Sequence, residues 1–204
     1  MALLTIPPSR AEDIERAKDF LFEVYGEGQW TEENYLELSD RVNRLIELSE
    51  GRLIVLPMPT PDHQDVIWNI AEVFKTWARR RGGRAFVAAL PARLWTGKFR
   101  EPDVMLYSPE HIDRVGKQYG GPPDIAVEVF SPSTERTDLD EKMSEYAQAG
   151  IVEYWVVSVD TPQVEQYMLE NGRYRLHAQL GAGEILRSTT FTDLEIAIDA
   201  IYAG

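Results

Sequence analysis

Cysteine is absent from the 204 residues. Disulfides, thiolate metal sites and cysteine nucleophiles are therefore excluded together. Positive charge is scarce: 21 Lys and Arg stand against 34 Asp and Glu, for a formal net charge of -13. Tight nonspecific binding to nucleic acid rests on many lysine and arginine contacts to phosphate, and the surface as a whole argues against it. The stretch WARRRGGR at 77–84 is a local basic exception. No run approaches the ~18 apolar residues of a membrane span. The opening MALLTIPPSRAEDIERAKDF lacks the basic-then-apolar form of a secretory leader. A soluble, cytoplasmic protein is expected. The glycine loops G-x-x-x-x-G-K-[ST] and G-x-G-x-x-G are missing, which weakens nucleotide-cofactor readings. With no G-x-S-x-G elbow either, Ser131 and Ser133 read as helix-capping residues rather than nucleophiles. Neither an internal repeat nor a low-complexity tract occurs.

What is present is an ordinary apolar fraction, 44%. A chain of this length buries roughly 70% of its unfolded surface and needs no staples. Residues 10–25 carry Ile14, Ala17, Phe20, Leu21 and Val24 at helical spacing. Thr31 is placed to cap a short helix through about Leu38. RLIELSEGRLIVLP (44–57) reads as a hairpin around Ser-Glu-Gly. Residues 62–81 predict a long helix with Val66, Ile70, Val73, Phe74 and Trp77 on one stripe, ended by Gly82 and Gly83. RAFVAAL, ARLW and PDVMLY are strand candidates, and 108–123 reads mostly as loop. DIAVEVF (124–130) is nearly continuous and apolar, as in the middle of a sheet. A helix from about Thr134 to Ala149, the interior strand EYWVVSV and a hairpin on Asn-Gly follow. The strand–helix–strand unit at 124–158 implies a parallel crossover, and the rest of the sheet reads as antiparallel. The fold class expected is mixed α/β.

Chemistry concentrates where the apolar pattern is broken. Glu128 sits among Ile125, Val127 and Val129. Alternation puts Asp103 of EPDVMLYS on one strand face and Val104 and Leu106 on the other. If the two strands are neighbours, two carboxylates meet on one sheet face. There, one takes up a proton, or a cation lies between them, and hard oxygen ligands suit magnesium or manganese. The alternative is a salt bridge from each acid to a nearby arginine such as Arg93 or Arg100. Asp138, Lys142 and Tyr146 lie near one helix face. Lys142 then either forms a solvated pair with Asp138 or leans back towards Glu128, where an ammonium polarises water or steadies a phosphoryl oxygen. Tyr154 and Trp155 read as core.

The runs EPDV, PDIAVEVFSPST and DLDEKMSEYAQAGIVEYWVV, with IELSEGRLIVLPMPTPDHQ before them, resemble the Uma2 family of the PD-(D/E)XK restriction-endonuclease-like superfamily. The likeness covers about residues 30–203. It implies a restriction-endonuclease-like mixed β-sheet flanked by helices at 30–204, with residues 1–29 as an N-terminal helical extension. It also implies a metal-dependent phosphodiesterase acting on DNA, with Mg2+ or Mn2+ held by Asp103 and Glu128, and a homodimer. The superfamily lysine normally stands two residues after the second acid, where this chain has Phe130. The resemblance moves that role to Lys142. Glu47 and His63 match further family positions as supporting residues. Glu47 is equally open to facing solvent on an edge strand, and His63 to serving as a surface or capping residue. A nonhydrolytic DNA-associated or regulatory protein on the same fold, and a homo-oligomeric interaction protein, are the competing functional readings.

Overall fold

The computed structural model describes residues 30–41, 44–130 and 136–203. The amphipathic pattern at 10–25 and the capping positions Ser133 and Thr134 lie outside them. The first described helix, α1 (Glu32–Ser39), is capped by Thr31, whose hydroxyl accepts from the Asn34 N–H. The hairpin follows as β1 (Ile46–Ser49) and β2 (Arg52–Val55), turning through Glu50 and Gly51, both at positive φ.

The long helix α2 spans Pro61–Arg81. Thr60 caps it, Pro61 occupies its first turn, where no intrahelical N–H is needed, and three arginines sit in its last turn at the negative end of the dipole. Its stripe of Val66, Ile70, Phe74 and Trp77 is buried. Each such side chain contributes roughly 1.5–3 kcal/mol on leaving water.

A six-stranded sheet runs in the order β10-β9-β8-β7-β6-β3. Its members are β3 (Arg84–Val87), β6 (Val104–Tyr107), β7 (Ile125–Phe130), β8 (Glu153–Ser158), β9 (Gln163–Glu170) and β10 (Arg173–Gly181). Only β7 and β8 are parallel, joined through α3 (Arg136–Ala149), and every other pairing is antiparallel. β7 is continuous and apolar because both its faces are covered. Val104, Leu106, Val127, Val129 and Trp155 pack beneath α2, while Met105, Ala126, Tyr154 and Val156 pack with Tyr146 of α3 on the other face. The β9–β10 turn uses Asn171 and Gly172, both at positive φ, as a tight Asn-Gly hairpin demands.

The strand pattern was incomplete in two places. A second, four-stranded sheet, β2-β1-β5-β4, stands apart from the first. It consists of the first hairpin, β4 (Ala92–Trp95) and β5 (Lys98–Arg100). The three residues of β5 lack an apolar alternation to announce them, since Lys98 and Arg100 are the buried charges. The C-terminal stretch forms β11 (Ile185–Arg187), β12 (Glu195–Ala197) and α4 (Ile198–Ile201), which cover α2. There the Trp77 indole N–H donates to Asp193 at 2.9 Å and the ring meets Phe191 at 4.5 Å between centroids. Within 108–123 a 3-10 turn covers Pro109–Arg114.

Candidate active site

Asp103 enters β6 directly opposite the end of β7. The antiparallel register pairs Val104 with Val127 and Met105 with Ala126. One step further along, residues 103 and 128 face each other, on the side of the sheet that carries Met105 and Ala126. The Val129 N–H donates to Asp103 Oδ2 at 2.7 Å, which fixes the aspartate to the neighbouring strand.

Glu128 is buried and takes two donors. Lys142 Nζ lies 3.1 Å from Oε2, and the Tyr146 hydroxyl donates to Oε1 at 2.5 Å. Lys142 and Tyr146 are four residues apart on α3 and so share its face. Lys142 also reaches Glu47 Oε1 at 3.6 Å. One ammonium thus joins the six-stranded sheet to the four-stranded one. Glu47 accepts the Glu101 N–H at 3.0 Å and the Arg100 guanidinium at 2.6 Å. His63, in the first turn of α2, donates from Nε2 to the Val129 carbonyl at 2.9 Å, with the same nitrogen 3.5 Å from Asp103 Oδ2. Its Nδ1 is buried without a hydrogen bond.

The structure therefore brings Glu47, His63, Asp103, Glu128 and Lys142 into one cluster. It decides several alternatives left open by the sequence. Glu47 is wholly buried in β1, between β2 and β5, and not on an exposed edge. His63 is not the cap, because Thr60 is. Neither Arg93 nor Arg100 pairs with Asp103 or Glu128. Arg93 holds Glu32, and Arg100 holds Glu47, Glu141 and Glu145. That arginine knot, with Lys98 on Glu145 at 2.5 Å, was invisible in the sequence, as was Glu101. The one available signal was the charged run K-F-R-E immediately before the Pro-Asp step.

Electrostatics in the cluster are out of balance. Burial pushes the Glu128 carboxyl up, to about 7, with the charges of Asp103 and Glu47 adding to it and Lys142 and Tyr146 opposing. Burial also pushes Glu101 up, to about 8, and Glu47 adds to it. Both Glu101 oxygens are buried without a well-formed hydrogen bond, and the Ile46 backbone N–H and the Lys142 charge only partly oppose the rise. Glu47 goes the other way: burial works to raise it, but Lys142 and Arg100 outweigh that and hold it below the ordinary carboxylate range. His63 is raised, since Asp103, the Val129 carbonyl and Glu128 outweigh its burial. Glu153 provides the contrast. It too is fully buried, yet four neutral donors satisfy it: Trp155, Gln166, Ser188 and the Thr190 N–H, at 2.7 to 3.0 Å. Glu153 is a structural acid with every lone pair accounted for, whereas burial outweighs the donors around Glu128 and Glu101 and disfavours their charged forms.

The Uma2 family model, described as "putative restriction endonuclease", matches residues 32–199. The chain belongs to the Uma2 family. A crystal structure of a "putative nuclease belonging to DUF820" from Anabaena variabilis has the same fold at 19% sequence identity. Its TM-score is 0.68, over 85% of this chain and 97% of that one. No curated protein matches. The restriction-endonuclease-like fold is thereby established for this Uma2 chain, and family membership places it among nuclease-like proteins. No helix among the described residues is long and apolar enough to cross a membrane.

The residues present suit one hard divalent cation. Asp103 and Glu128 converge on one face, Glu128 carries a charge that burial disfavours, and oxygen donors are what magnesium and manganese select. Among the described residues no group of three or more His, Asp or Glu side chains closes around a point. Two carboxylates with the remaining positions left to water and substrate is the usual arrangement for magnesium. The Val129 carbonyl, next in the chain after Glu128, is engaged by His63.

Proposed function

We propose that this Uma2 protein is a metal-dependent endonuclease that hydrolyses phosphodiester bonds of DNA, with Asp103, Glu128 and Lys142 as its catalytic residues. The observation that carries this reading is the contact of Lys142 with Glu128, at 3.1 Å, one strand away from Asp103. An ammonium is thereby present beside the second acid although the strand position two residues on is Phe130.

Asp103 and Glu128 would hold Mg2+ or Mn2+, which supplies Lewis acidity towards a phosphoryl oxygen and lowers the pKa of a bound water. Hydrolysis joins the water oxygen to phosphorus and breaks the P–O bond to the leaving strand end, which takes up a proton. Lys142 favours the ionised form of Glu128 and offers N–H groups to negative charge gathering on the phosphate. Glu47, braced by Arg100, holds Lys142 from the opposite side. His63 steadies Asp103 and the Val129 carbonyl through one nitrogen. In this reading the protein works in the cytoplasm as a homodimer that pairs two sites.

The test is cleavage of plasmid and single-stranded DNA in Mg2+, Mn2+ and EDTA. Asp103→Ala and Glu128→Ala, with folding verified by circular dichroism, are expected to lose at least about a hundredfold in rate. Equal cleavage, or equal divalent-ion binding by calorimetry, in both variants would remove the site assignment. A second reading, a nonhydrolytic DNA-associated protein, is favoured by Phe130 and by the net charge of -13. It predicts DNA binding with no metal-dependent cleavage.

A further inference from the structure

Several exposed cations without an acidic partner gather beside the site. Elsewhere Arg41 is engaged by Glu37, Arg81 by Asp193, Arg175 by Glu170 and Arg187 by Glu195, besides the site's own pairs, while Arg52, Arg80, Lys117 and Arg173 are exposed without an acidic partner among the described residues. Lys75, Arg79, Arg84 and Arg44 have no acidic partner among the described residues, and all four are exposed. Lys75 and Arg79 stand at i+7 and i+11 from Trp68 on α2, so the three lie within about 60° of one another around the helix.

Trp68 is the most exposed large apolar side chain of the described residues, at 65%. It lies at the junction of two surface clefts. One, of about 430 Å³, contains Asp103 and Arg44. The other, of about 590 Å³, contains Lys75, Arg79 and Phe86. Trp68 and Val87 line both, which makes them one track. Arg84 caps the Phe86 ring, its guanidinium carbon 4.5 Å from the ring centre. The track thus begins at the candidate catalytic aspartate, passes an uncovered indole, and continues along a basic helix face.

We infer that this track binds a single strand of nucleic acid, with a base stacked on Trp68 and the following phosphates running past Lys75, Arg79 and Arg84. The inference rests on the nuclease reading of the Asp103–Glu128 site and specifies its substrate as unpaired rather than duplex DNA. An indole presents a flat apolar face to any unstacked base, whatever its identity, while bases inside a duplex already stack on one another. From Trp68 to Arg79 the helix rises about 16 Å, long enough to run beside several phosphates of an extended strand. Glu72 lies on the same stripe and opposes the phosphates. It is the only acid in that second cleft, and replacing it strengthens binding.

The test measures anisotropy of a labelled oligothymidine of about 15 nucleotides and of a duplex of equal length, in EDTA and again in calcium. The single strand is expected to bind more tightly. Trp68→Ala weakens it roughly ten- to hundredfold, Trp68→Phe largely restores it, and Glu72→Gln tightens it. Lys75→Ala with Arg79→Ala lowers the slope of log affinity against log salt by about 1.4. Absence of single-strand binding, a duplex preference, or unchanged affinity in Trp68→Ala would overturn the track. A Trp68→Ala protein that binds DNA normally but changes mass in light scattering would show the patch to be a self-contact instead. Cleavage by Asp103→Ala is scored separately. Its loss together with intact strand binding in Trp68→Ala would leave the nuclease reading standing and the track refuted.

Discussion

Glu101 is the residue whose chemistry is least explained by its neighbours. Its backbone N–H serves Glu47, while its own carboxyl is buried without a well-formed hydrogen bond beside Tyr35 and Glu47. Its proton is therefore held more tightly in the folded protein, with a pKa of about 8, than in the unfolded chain near 4.5. A raised carboxyl pKa contributes stability that is complete below the unfolded value and lost as pH rises through the folded one. The metal-free protein is accordingly expected to lose stability between about pH 4.5 and pH 8, with Glu128 adding to the slope in the same direction. Glu101→Gln keeps the shape and removes the ionisation. Urea midpoints at pH 5, 7 and 9 should show a flatter profile, with the variant more stable than the parent at pH 9. Parallel profiles would mean that Glu101 ionises freely, and that the cluster has more room for charge than its burial suggests. Sequence pattern located Asp103 and Glu128 here because each interrupts an apolar alternation. Beyond the charged run K-F-R-E it gave no face for Glu101, which lies outside any strand.

Element boundaries were the most legible feature. Thr31 caps α1, Gly82 ends α2, and Asn-Gly marks the β9–β10 turn, because caps and positive-φ turns are satisfied by a handful of local residue types. Gly83 carries a demand that only the assembled elements reveal. A Cβ there would sit 2.5 Å from the Tyr107 carbonyl oxygen of β6, a backbone atom that cannot swing aside. Gly83→Ala must displace the β3–β6 edge, where Arg84 pairs with Tyr107. A cost of about 1–3 kcal/mol is expected, read as a lower urea midpoint. Wild-type stability in this variant would show that the edge strand shifts freely. β5 escaped notice for a related reason. Its three residues expose no apolar period, and they become a strand because Leu48 and Ser49 of β1 pair with Phe99 and Lys98.

At the scale of the described residues as a whole, the six-stranded and four-stranded sheets are held together through α3. Arg100 of the four-stranded sheet meets Glu141 and Glu145 of the helix that links β7 to β8, and Lys142 of the same helix meets Glu128 and Glu47. Arg100 is wholly buried. Removing one partner of a buried ion pair leaves the others charged and unsolvated, a loss of about 3–5 kcal/mol. Arg100→Met is expected to destabilise by that order in urea denaturation. It should also weaken divalent-ion binding, because Glu47 would then compete with Glu128 for Lys142. A stable variant with unaltered ion binding would show that the two sheets dock through their apolar contacts alone.

The sequence by itself determined the local matters: the turns, the amphipathic stripe of α2, the buried central strand, and the strand faces on which Asp103 and Glu128 lie. Periodicity reports which side of its own element a residue occupies. The tertiary structure alone decided that Glu47, His63 and Lys142, from three separate elements, close on those two acids, and that Arg100 turns away from them. Such meetings depend on how helices and sheets stack across long stretches of chain. No residue's spacing along its own strand or helix carries that information.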